Sequence, residues 1–200
     1  MGIHFYDRSP TGPYEQHARI GPSRSLLNAS IRYVVWAEDA LFIVHRVPIV
    51  LFDQQLLVPD NCVKVAARVV CSDIPYSIRT TDNDARWEDF SRFNKECPHA
   101  CDLNASTIFL QDVDASALIW QMKLTRPKRI FVHTASMFHF DVLDPSRTCV
   151  NLSPPSDDFG DTRFPTLPAF FNAIVDTKHE PPLPFVHQKF KASSVTVIVG

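Results

Sequence analysis

Acidic side chains able to do chemistry are concentrated between residues 36 and 60. Glu38 and Asp39 stand side by side in "VVWAEDAL", and Asp53 follows in "VLFDQQLL", two positions before Gln55. Side chains two apart on a strand point to one face, so an Asp-x-Asp pair there presents anionic oxygens that hold a divalent cation. In this chain Gln55 takes the second place. Its amide oxygen is neutral, so the pair carries one negative charge less. Glu38 or Asp39, from the neighbouring strand end, is a substitute for the missing acid. Asp112 or Asp114 after "TIFLQ", and Asp141 or Asp144 in "FHFDVLD", are alternatives for a further carboxylate.

Other reactive residue types carry weaker patterns. His133 and His139 share a face if a strand runs unbroken between them, and with Asp141 they suggest an acid–base pair. The plainer expectation is two half-buried histidines bonded to backbone. Ser136 lacks the Gly-x-Ser-x-Gly turn of a hydrolase. Cys97, His99 and Cys101 of "CPHAC" are metal-ligand types, but structural zinc sites usually join two such clusters and the chain has no second one. Five cysteines, an odd set in a chain without a secretion signal, point to free thiols rather than a disulfide framework.

The elements that must position these residues can be read from the apolar pattern. Residues 1–24, with Pro10, Pro13 and Pro22, read as an irregular N-terminal arm, and 25–200 as one domain. A short helix near Ser25–Ala29 leads into the strand "IRYVVWA". The short helix "EDALFIVHR" leads into a second strand, "IVLFDQQLLVP". Asp60 is then the expected N-cap of the helix "NCVKVAARVVCS", with Val63, Ala66, Val69 and Val70 inward. "YSIRT", "STIFLQD", "SALIWQM" and "RIFVHTASMFHFDVL" supply more strand signal, the last as two pieces. An insertion is expected over 81–104. "PTLPAFFNAIVDTKH" is the last clear helix, with Leu167, Phe170, Phe171, Ile174 and Val175 on one side.

Composition excludes several classes. Of the 200 residues, 45% are hydrophobic and 21% charged, the balance of a globular chain. Net charge is −2, so no basic field gathers nucleic acid, and such binding is unsupported. The one basic run, "KLTRPKR" at 123–129, reads as a solvated connection. No apolar run approaches the ~20 residues of a membrane span and the N-terminus carries no signal peptide, so a cytoplasmic or nuclear location without a membrane partner is expected. No P-loop or GxGxxG is present, and no repeat.

The order helix, strand, short helix, acid-bearing strand, helix resembles the core of the nucleotidyltransferase fold, in particular antitoxin-like and kanamycin nucleotidyltransferase-like domains. The segments "WAEDAL", "PIVLFDQQLLVPD", "FHFDVLD" and "FPTLPAFFNAIVDT" also resemble a group of uncharacterised basidiomycete fungal proteins, across about residues 25–178. The resemblance implies an α/β (α+β) domain with a mixed sheet flanked by helices. It implies a nucleoside triphosphate against a glycine-containing turn after the first strand, Asp-x-Asp on the second, and a third carboxylate from a later strand. Carried over residue by residue, Asp53 and Asp141 are the implied metal ligands for Mg²⁺, and Asp53, Glu38 and Asp141 the catalytic set. Ala37, Glu38, Asp39 and Gln55 line the nucleotide.

The chain departs from that pattern at Gln55 and at Ala37, where glycine would let backbone approach a phosphate. The expectation is therefore a degenerate nucleotidyltransferase-like protein, with catalysis lost or strongly reduced and a vestigial cleft or binding role. The rivals are an active Mg²⁺-dependent transferase acting on a small molecule, protein or RNA end, and a protein-interaction module that uses Phe159, Phe164 and Phe185. The ending "KASSVTVIVG" reads as strand where a helix is expected, the pattern of a truncated or mis-spliced product.

Overall fold

The architecture is set by one mixed sheet with a different packing partner on each side. A computed structural model describes residues 11–78, 107–113, 126–152 and 157–179. The insertion at 81–104, the strand at 116–122, the "CPHAC" cluster, Asp114, Phe185 and the C-terminal "KASSVTVIVG" lie outside them.

The first helix, α1 (Pro13–Ile20), stands where the sequence suggests an irregular arm. Pro13 opens it, and the Glu15 carboxylate accepts the Gly12 N–H at 2.7 Å, so the first turn is capped by its own side chain. Ile20 is fully buried, which explains why the segment packs rather than trails. A 3₁₀ turn (Gly21–Ser23) leads to α2 (Arg24–Asn28), and then to strand β1 (Val34–Trp36). One turn of helix, α3 (Ala37–Asp39), widens into a π-helical turn over Ala40–Val44.

Strand β2 (Gln54–Val58) starts just after Asp53, and helix α4 (Val63–Asp73) follows a 3₁₀ turn at Asp60–Cys62. Asp60 does not cap α4 as expected; its carboxylate accepts the Ser136 N–H at 3.2 Å instead. Val63, Ala66, Ala67 and Val70 are the buried stripe of α4, with Val69 at its margin. Strands β3 (Tyr76–Ile78), β4 (Thr107–Asp112) and β5 (Arg129–Thr134) complete a five-stranded sheet in the order β1-β2-β5-β4-β3. Only β2 and β5 pair in parallel; the other pairings are antiparallel. The mixed sheet with its helices agrees with the expected α/β class.

The expected second strand within 129–143 does not form. A 3₁₀ turn at Ala135–Phe138 leads to His139, whose φ of 49° is left-handed, and this redirects the chain back under the sheet. A short ladder of β6 (Thr148–Cys149) and β7 (Phe164–Pro165) precedes helix α5 (Leu167–His179). Ala169, Phe170 and Ala173 face inward on α5, whereas Phe171 and Val175, expected on the same side, are exposed.

Alternation along the strands divides the core. One face carries Val35, Leu56, Val58, Ile130 and Val132 against α2 and α4. The opposite face carries Val34, Trp36 and Leu57 against Met137, Phe138, Phe140 and α5. Trp36 anchors the second core, with ring centroids 5.0 Å from Phe140 and 4.9 Å from Phe170. Phe159 and Phe164, expected to be exposed for a partner, are instead wholly buried in the first core.

Candidate functional site

The acids of the opening segment are brought together by the antiparallel pairing of β1 and β2. Trp36 lies opposite Gln55, so the turn after β1 places Glu38 beside the start of β2. Ala37 makes that turn with φ at 51°, a left-handed conformation that favours glycine. The Gln55 amide Nε2 donates a hydrogen bond to Glu38 Oε2 at 3.0 Å. Gln55 is flanked by Trp36 on β1 and Phe131 on β5. Its Oε1 is buried with no hydrogen-bond partner among the described residues.

Asp53, two residues before Gln55 and just ahead of β2, falls on the same side by strand alternation. Arg129, the first residue of β5, donates Nε and Nη2 to its two carboxylate oxygens at 3.0 and 2.7 Å. Both oxygens are therefore engaged by one planar guanidinium fork. Asp39 points the other way and is closed by Arg19 of α1, with Nε at 2.6 Å from Oδ1 and Nη2 at 3.3 Å from Oδ2. Arg19 also donates Nη1 to the Phe52 carbonyl, and its own carbonyl accepts from Gln54 Nε2 at 2.9 Å. Residues 52 to 55 are thus held by three partners, Arg19 for Phe52 and Gln54, Arg129 for Asp53 and Glu38 for Gln55.

Electrostatics follow from this crowding. Loss of water around Glu38 pushes its carboxyl up from 4.5 to about 7, and the charges of Asp39 and Asp53 act in the same direction while Arg19 opposes them. Burial likewise raises Asp39, against the pull of Arg19. The cluster holds an Asp53 paired with Arg129, an Asp39 tied to Arg19, a Glu38 whose carboxyl is raised to about 7 and a neutral amide.

The remaining expected residues stand apart. Asp141 is exposed, and its carboxylate accepts the Leu143 N–H at 2.8 Å within its own turn. Asp144 accepts the Ser146 hydroxyl at 2.6 Å and its N–H at 2.8 Å as the cap of a 3₁₀ turn, and these bonds lower its carboxyl. Asp112 is forked by Arg126 at 2.7 and 2.8 Å. His133 is buried, its Nδ1 2.8 Å from Thr107 Oγ1, and burial lowers it to about 3, which keeps it neutral. The turn at His139 separates it from that strand, so the two histidines do not form a pair with Asp141.

Among the described residues no three His, Cys, Asp or Glu side chains converge as a metal-holding group. The residues at Asp53 do not suit Mg²⁺ as they stand: one acid is neutralised by a side-chain cation, and the second ligand position is an amide. No described helix is long and apolar enough to cross a membrane. Comparison of the chain with protein-family models, curated proteins and solved structures gives no match.

Arg129 and Arg19 are the site residues that the sequence hides. Arg129 ends the basic run read as a solvated connection, and Arg19 falls in the segment read as an irregular arm. The available signal was a basic residue directly preceding the apolar strand "IFVH". Its meaning depends on β5 lying parallel beside β2, a pairing between residues 76 apart.

Proposed function

We propose that this chain is a degenerate nucleotidyltransferase-like protein, a binding scaffold with transferase chemistry lost or strongly reduced and a vestigial nucleotide cleft at the start of β2. The observation that carries the reading is the Arg129 fork on Asp53. Metal-dependent phosphoryl transfer needs carboxylate oxygens that bridge a divalent ion to the triphosphate. Asp53 offers its oxygens to a guanidinium, Gln55 offers a neutral amide, and the turn at Ala37 has a methyl group where glycine would admit a phosphate to the backbone. Glu38, which would supply the replacement acid, has its carboxyl raised from 4.5 to about 7 by burial and already accepts from the Gln55 amide.

The test is calorimetry of the whole chain with ATP, GTP, CTP and UTP, each with and without Mg²⁺ or Mn²⁺. The expected result is nucleotide binding that metal does not strengthen. A roughly tenfold or greater gain in affinity on adding metal overturns the reading in favour of an active transferase. Absence of binding to all four nucleotides overturns the vestigial cleft.

A further inference from the structure

His45 and Cys149 come from separate parts of the chain and converge on one backbone oxygen. His45 follows the π-helical turn over Ala40–Val44, and its Nε2 lies 2.8 Å from the Pro165 carbonyl oxygen of β7. A carbonyl only accepts, so Nε2 carries the hydrogen. Cys149 of β6 donates its Sγ hydrogen to the same oxygen at 3.8 Å. Both side chains are half-buried, so a solute ion can reach them. Burial lowers His45 from its ordinary range, against the bond to Pro165, which keeps the ring neutral and able to offer a nitrogen lone pair. Ligand type then decides which ion fits. Thiolate sulfur with imidazole nitrogen suits zinc or reduced copper. Zinc takes about four ligands, and among the described residues no third His, Cys, Asp or Glu joins the pair. Cu⁺ is satisfied by two ligands in line, and one thiolate balances its charge, so no net charge enters a half-buried place.

We propose that His45 and Cys149 form a two-ligand site for Cu⁺. Cys149 Sγ releases its proton to solvent and binds the ion as thiolate. His45 exchanges its hydrogen from Nε2 to Nδ1 through solvent and turns the freed Nε2 lone pair to the ion. The Pro165 oxygen loses both donors and lies beside the cation in their place. The site uses none of the residues at the start of β2 and is tested without nucleotide, so its failure and the failure of the nucleotide reading are separate results.

The experiment adds Cu⁺ anaerobically to the full chain in competition with a chromophoric Cu⁺ chelator and counts the ions retained. Cys149→Ser and His45→Gln each keep a donor for the Pro165 oxygen. Each is expected to weaken one ion at least roughly tenfold, and the double variant to affect that same ion and no other. Cys62→Ser and Cys71→Ser, at the two ends of α4, are expected to bind as the unaltered chain does. A smaller change in either folded single variant overturns the proposal. So does the loss of two ions in the double variant, because the two side chains then serve separate sites. An effect of Cys62→Ser or Cys71→Ser as large as that of Cys149→Ser overturns it as well. The imidazole ¹⁵N resonances of His45 in the unaltered chain need no variant to fold. They are expected to move when the ion binds, and resonances that Cu⁺ leaves in place overturn the proposal.

Discussion

Two arginine–aspartate forks clamp the entry to β2, and their surroundings differ. In the Arg19–Asp39 pair the side chains are 9% and 0% exposed, and in the Arg129–Asp53 pair 21% and 15%. The first joins helix α1 to the turn after β1 and fixes two backbone carbonyls nearby through Arg19 and Gln54. The second joins two parallel strands at their water-reached ends. Removing one partner of the first leaves a charge with no water to replace it. Removing one partner of the second leaves a group that solvent can partly reach. The same pairing geometry thus locks the fold in one place and sets the chemistry of an accessible carboxylate in the other.

The largest expected effect breaks the buried member of this comparison. Asp39→Ala strands the Arg19 guanidinium in the core and should cost about 3–5 kcal/mol, read as a fall in the urea midpoint. An equal or smaller loss for Asp39→Ala than for Arg129→Met would remove the distinction between the two pairs.

Glu38 sharpens the comparison through pH. Its folded pKa of about 7 lies above its ordinary 4.5, so the folded state binds the proton more tightly than the unfolded chain. Its contribution is fully present below pH 4.5 and is lost as pH rises through 7. The difference is on the order of 3 kcal/mol between those limits. Melts of Glu38→Gln should be flatter over this window than those of the unaltered chain, with the variant ahead at alkaline pH. Parallel pH profiles for the two would show that Glu38 titrates normally.

Arg129→Met is expected to cost about 1 kcal/mol, the scale of a partly exposed pair, read from the same urea transitions. The smallest effect is a gain. Ala37 holds a left-handed backbone that glycine adopts without strain, and Ala37→Gly should stabilise the fold by about 0.5–1 kcal/mol after the extra entropy of the unfolded chain is subtracted. Calorimetric melting should rise by roughly 2 °C. A lower melting temperature would mean that the Ala37 methyl contributes packing that outweighs its backbone strain.

Much of the framework was legible in the residues. Apolar runs marked β1, β2, β3, β4 and the first half of the 129–143 segment, because a buried strand needs continuous β-branched and aromatic side chains. The helices α2, α4 and α5 followed from their spacing and punctuation. The failures share a physical origin. Helix α1 is short and proline-flanked, and its order comes from Ile20 and Arg19 docking on residues distant in sequence. "MFHF" has strand-like composition, but the turn at Ala135–Phe138 and the left-handed His139 aim those aromatics at Trp36 instead. Phe159 and Phe164 lie in a proline-rich connection, and their burial depends on the face of the sheet that this connection crosses.

The candidate site divides in the same way. Sequence by itself determined which groups are present: Glu38, Asp39 and Asp53 as acids, Gln55 as a neutral amide, and Ala37 in a turn where the resemblance implies glycine. It also determined that β2 shows alternate side chains to opposite faces, since that period is local to the strand. Only the tertiary structure decided the state of each acid. Arg19 reaches Asp39 across 20 residues and Arg129 reaches Asp53 across 76, while Glu38 is left beside an amide and loses its water. Charge neutralisation and desolvation depend on distance in space, and the chain order that places two arginines among acids carries no local mark of it.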